Sequence, residues 1–166
     1  MGNGYAAVHV ETAGLERRLV EVAVVHLDGT GRRTDEWCTL VNPRRELGEL
    51  PGIDAADVHR APDFAGVAGE LAARLSGRVL VAHDLPFALR SLAAEFHGLG
   101  YELPESSGMS TRDLAPAAAG TALQAARASA RALVRCLDRA RQLEPVRLAV
   151  PRTVRTYAVQ RSGGVR

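Results

Sequence analysis

The sequence predicts an α/β domain in which helices cover a mixed sheet. Three observations carry that expectation. Short runs of apolar and β-branched residues at Tyr5–Val10, Leu19–Leu27 and Thr34–Val41 read as strands. The all-apolar Val79–Ala82 has the character of a strand buried on both faces. The stretches between and after these runs repeat apolar residues at helical spacing.

The elements follow in order. Asp28-Gly29-Thr30-Gly31 supplies turn chemistry, so the second and third runs form an antiparallel hairpin. Asn42-Pro43 ends the third. Residues 44–62 read as a connection with one short helix at Ala55–His59. Asp63 is suited to cap a helix over Phe64–Leu75, because Phe64, Val67, Ala68, Leu71 and Leu75 share one face, and Gly77 closes it. Pro86 opens a further helix with Phe87, Leu89, Leu92, Ala93 and Phe96 inward, ending at Gly98 or Gly100. A weak strand is expected near Met109–Thr111, and a long final helix from about Ala122 to Leu143. One domain therefore spans 1–143, and an arginine-rich tail spans 144–166, with room for an extra strand around Thr153–Val159.

Composition narrows the class. A chain of 166 residues with 46% hydrophobic residues can bury one core. No apolar run approaches the ~18 residues of a membrane span, and the first residues lead into a strand rather than a signal-like stretch, so the cytoplasm is the expected location. Cys38 and Cys136 form no CxxC pair and read as two buried thiols rather than a metal knuckle or disulfide. All 21 basic residues are arginine, which resembles the coding bias of a high-GC, actinobacterial genome. From Gly120 onward ten arginines face only Asp138 and Glu144, giving +8, so the remainder carries −6 of the overall +2. Such asymmetry marks either a polyanion-binding end or a solvated helix face with a basic tail.

Local words then converge on a family. Val8-His9-Val10-Glu11-Thr12-Ala13-Gly14-Leu15 resembles a DxETTGL motif. Leu19–Val25 and Glu36–Pro43 resemble its IVEIAVV and WxTLVNP strands, and Pro51–Asp54 stands at its HGIT. Val79–Arg90 resembles VLVAHNAPFDLR, Ser110–Ala115 resembles CTLxLA, and Ala122–Ala130 resembles the third motif, AHRALADARATA. Over about residues 5–137 the chain is similar to the DEDD-type 3′–5′ exonucleases, the family of polymerase proofreading subunits. The resemblance implies a ribonuclease H-like fold with a mixed five-stranded sheet and helices on both faces. It also implies two-metal hydrolysis from the 3′ end of a nucleic acid.

That chemistry needs several hard oxygen ligands around one cavity and a general base. Carried over by position, the first-motif Asp falls on His9, and its Glu is kept as Glu11. The second-motif Asp falls on Ala88, and the third-motif His and Asp fall on Gly120 and Ala125. The HGIT His falls on Pro51. One metal-binding carboxylate, Glu11, remains, which implies no cofactor, or at most one weakly bound Mg²⁺ or Mn²⁺. Between Ala115 and Ala122 the chain is about twenty residues shorter than the family spacing, as though a helix were missing.

Three functions stay open. The first is an accessory or binding protein, a pseudo-enzyme on an exonuclease scaffold, that takes single-stranded nucleic acid or a protein partner. The second is a repurposed enzyme acting on a small molecule. It would use His9, Glu11 and Asp84 as its cleft, with Thr12, His83 and Phe87 lining it and Arg90 as an anion anchor. The third is a residual metal-dependent nuclease. Arg127 and Arg131, continued by Arg135 and Arg139, form a stripe along the last helix that either tracks phosphates or faces solvent. Trp37 reads as packing rather than a stacking platform, and His26, His59 and His97 as surface or satisfied residues. The shortened region leaves room for a homodimer contact.

Overall fold

A computed structural model describes residues 4–48, 50, 52–104 and 107–142. The chain runs β1 (Tyr5–Ala13), β2 (Arg18–Leu27), β3 (Arg33–Leu40), α1 (Ala55–Arg60), α2 (Phe64–Leu75), β4 (Val79–Ala82), α3 (Leu85–Gly98), β5 (Gly108–Ser110) and α4 (Ala122–Gln142). The expected tail strand at Thr153–Val159 lies outside the described residues, as does Pro51.

The sheet has the order β3-β2-β1-β4-β5. β1–β2 and β2–β3 are antiparallel, whereas β1–β4 and β4–β5 are parallel. The hairpins join neighbours through tight turns, and the parallel strands arrive through helical crossovers. At the β1–β2 turn Gly14 takes φ +72°, a left-handed conformation that favours glycine. The next residue, Leu15, is fully exposed.

Alternation along the strands sorts side chains onto two faces. Ala6, Val8, Val10, Val22 and Val24 pack with α2 and α3, where Phe64 meets Phe96 edge to face at 5.1 Å between ring centroids. Ala7, Ala23, Val25, Leu27 and Val81 pack beneath α4, which answers with Ala122, Ala126, Ala130 and Leu133. The alanines bring α4 close to the sheet. Asp63 caps α2 by accepting from the Gly66 amide at 3.2 Å, and Asp84 caps α3 by accepting from the Phe87 amide at 3.1 Å.

Two details, at Ala93 and Cys38, depart from expectation. Ala93 faces solvent, and α3 buries Ala88, Leu92, Glu95 and Phe96 instead. Glu95 is 5% exposed. It accepts from Arg18 Nε and Nη2 at 2.9 and 2.8 Å and from the Leu19 amide at 3.2 Å, so its burial is compensated. Cys38 is exposed on β3, not buried. Trp37 packs on the core with the Arg74 guanidinium 5.3 Å from its ring centroid. No described helix is long and apolar enough to cross a membrane.

Candidate active site

His9 and Glu11 lie two residues apart on β1 and share the sheet face that α4 covers. The His9 ring nitrogen Nε2 donates to Glu11 Oε1 at 2.8 Å. Across the ladder Glu11 sits directly opposite Glu21 of β2, and a register shift follows between Glu11 and Thr12. Glu21 accepts from the Cys38 thiol at 3.3 Å. Packing around Sγ, reinforced by that carboxylate, pushes the Cys38 thiol up to about 12, although the residue lies on the exposed edge strand.

A cavity of about 730 Å³ opens beside these groups. Glu11 and Glu21 form one wall, Asp54 and Asp57 another, and Gly120, Thr121 and Gln124 a third. The third wall is the amino end of α4, whose positive dipole end suits a carboxylate neighbourhood. Thr121 and Gln124 close that end reciprocally: the Thr121 amide donates to Gln124 Oε1 at 2.9 Å, and the Gln124 amide to Thr121 Oγ1 at 3.3 Å. The linking residues 115–121 contain no helix.

The carboxylates around this cavity are already engaged. Asp54 caps α1 through the Ala56 amide at 2.8 Å, and Asp57 pairs with Arg60 at 2.5 Å. Glu21, Asp54 and Asp57 escaped the sequence reading. The cross-strand partner of Glu11 could have been found by laying out the hairpin register, whereas Asp54 and Asp57 enter only through the tertiary fold.

The remaining positions given by the resemblance hold no donor. Ala88 is 4% exposed within the α3 core, and Ala125 is 6% exposed under α4. Gly120 takes φ +115°, and a Cβ there would meet Gln124 Oε1 at 2.0 Å, so any side chain displaces the cap. Among the described residues no three His, Cys, Asp or Glu side chains are grouped to hold a metal ion. The donor set does not fit a pair of divalent cations, which require near-complete oxygen shells.

The other residues read from the sequence as lining the cleft are placed as follows. Asp84 caps α3 and ion-pairs with Arg112, and no hydrogen bond or ion pair joins it to His9 or Glu11 among the described residues. Phe87 is partly buried and packs on the α3 core. Thr12 and His83 are partly exposed, and Arg90 is exposed. Arg127 is not a free cation. Its Nε and Nη2 donate to Glu36 Oε1 and Oε2 at 2.9 and 2.6 Å, and this pairing holds the Glu36 carboxyl below the usual range. The cavity beside Glu11 is lined by carboxylates and by apolar side chains, Leu40 and Ile53 among them.

The fold is ribonuclease H-like, a mixed five-stranded sheet covered by helices, and the chain is similar in sequence to parts of two larger proteins. Over 118 residues, 66% of this chain, it is 27% identical to 3′–5′ exonuclease DinG of Bacillus subtilis. Over 118 residues, 67% of this chain, it is 29% identical to a PolC-type DNA polymerase III of Oceanobacillus iheyensis. The matched region spans 13% and 8% of those two proteins. Among solved structures, exonuclease X in complex with 5′ overhanging duplex DNA matches with a TM-score of 0.58 at 18% identity, covering 84% of this chain and 94% of that one. No family model matches the chain.

Proposed function

We propose that this protein uses an exonuclease fold for binding rather than for phosphodiester cleavage, acting as an accessory protein. The observation that supports this reading is the donor deficit. Of the positions that supply metal ligands and base in the family, only Glu11 carries a carboxylate, and that carboxylate is hydrogen-bonded to His9 at 2.8 Å. Ala88 and Ala125 present methyl groups to packed cores. The acidic cavity argues further. Without bound cations, Glu11, Glu21, Asp54 and Asp57 repel a phosphate backbone instead of seating it.

The test is a 3′-end trimming assay on single-stranded and recessed DNA at high protein concentration, with Mg²⁺ and with Mn²⁺. The expected result is intact substrate with both metals, and with Glu11→Ala. Metal-dependent trimming that disappears in Glu11→Ala would overturn the reading and establish a nuclease built on an unusual ligand set.

A further inference from the structure

The geometry points to the groove between α4 and the β2–β3 hairpin as a docking site for an acidic, apolar-anchored peptide segment of a partner protein. This inference rests on the reading of the chain as a binding protein and names the class of partner. The groove encloses about 410 Å³ farther along α4 than the carboxylate cavity, and the two linings share no residue. Its rim is cationic: Arg33 from β3, and Arg127, Arg131 and Arg135 from successive turns of α4. Its base is aliphatic. Val25, Leu27 and Ala130 are sealed, and Val134 remains partly exposed.

Charge complementarity selects the occupant. Glu36 satisfies Arg33 at 2.7 Å and Arg127 at 2.6 Å. Arg131 and Arg135 have no hydrogen bond or ion pair with any other described residue. They stand one helical turn apart on the same face, where like charges repel. An incoming carboxylate row relieves that repulsion and forms forked hydrogen bonds with the guanidiniums. The base offers no aromatic ring for base stacking, so a single-stranded nucleic acid would leave Val134 without a partner. A peptide alternating acidic and aliphatic side chains matches both rim and base.

The experiment is fluorescence anisotropy of the full chain with three labelled probes: a short peptide of alternating Glu and Leu, an equally charged peptide of Glu and Ser, and oligothymidylate. The Glu/Leu peptide is expected to bind about tenfold more tightly than the Glu/Ser peptide. Arg131→Glu combined with Arg135→Glu should weaken it by at least about tenfold, and the isosteric Val134→Thr by about threefold, with thermal melts verifying that each variant is folded. The proposal is overturned if the two peptides bind alike, if the arginine reversal leaves affinity unchanged, or if oligothymidylate binds more tightly than the Glu/Leu peptide through the same arginines. Trimming of a 3′ end by the same preparation would sink the non-nuclease reading, whereas loss of peptide binding alone would sink only this site.

Discussion

Glu36 on β3 and Arg127 on α4, ninety-one residues apart, meet in a two-pronged ion pair with bonds of 2.9 and 2.6 Å. The pair ties the open edge of the sheet to the helix that covers its centre. Because Arg127 and then Arg33 hold the Glu36 carboxyl low, its contribution to stability is present above the unfolded carboxylate range and fades as pH falls through the lowered folded value. Arg127→Ala should move the Glu36 carboxyl back up toward its ordinary value in an NMR titration. An unchanged titration would show that the fork does not persist in solution.

Glu95 poses a sharper case, since it is nearly sealed and serves both Arg18 and the Leu19 amide. Glu95→Ala orphans the amide and leaves the guanidinium half in solvent. A loss of about 2–3 kcal/mol is expected in urea unfolding. Glu95→Gln keeps one acceptor and should recover part of it. Equal stability of wild type and alanine variant would refute the role given to this carboxylate.

His26 is 7% exposed, and its Nε2 donates to the Arg74 carbonyl at 2.9 Å. Burial, the largest influence, pulls the ring below its ordinary 6.5. The unfolded chain then binds the proton more readily than the folded one. His26 thus keeps its full contribution above pH 6.5, and stability declines as pH falls through the lowered folded value. Melts between neutral and mildly acidic pH should show this decline, and His26→Gln should flatten it.

Cys38 is expected to resist alkylation despite its place on the edge strand. With its thiol near 12, almost no thiolate exists at mildly alkaline pH. In a Cys136→Ala background, iodoacetamide should react at least about tenfold more slowly than with a free cysteine. Glu21→Gln removes one of the two causes and should speed the reaction. A rate matching free cysteine would contradict the environment described.

Local rules carried the sequence reading wherever an element is governed by its own residues. Asp63 caps Phe64–Leu75 and Val79–Ala82 is a strand, both as read, because capping and unbroken apolarity are local properties. β1 extends through Glu11 and Thr12 to Ala13, beyond the apolar run, because ladder pairing with β2 holds polar residues in extended form. Ala93 was placed inward by helical periodicity, but Glu95 takes the buried arc because Arg18, seventy-seven positions away, neutralises it. The candidate site was half legible. His9 and Glu11 follow from strand alternation, whereas Asp84's bond to Arg112 and Arg127's to Glu36 depend on chain segments that only the fold brings together.

The small residues at Ala88, Gly120 and Ala125 have a historical consequence. Each fills space that its neighbours have already claimed: the α3 core, the Gln124 cap, and the tight seam between α4 and the sheet. A carboxylate placed at Ala88 would enter the core with no cation to repay it, and a side chain at Gly120 would push the Gln124 amide from its cap. On the binding reading proposed above, building a two-metal centre at these positions would therefore take several coordinated substitutions rather than one.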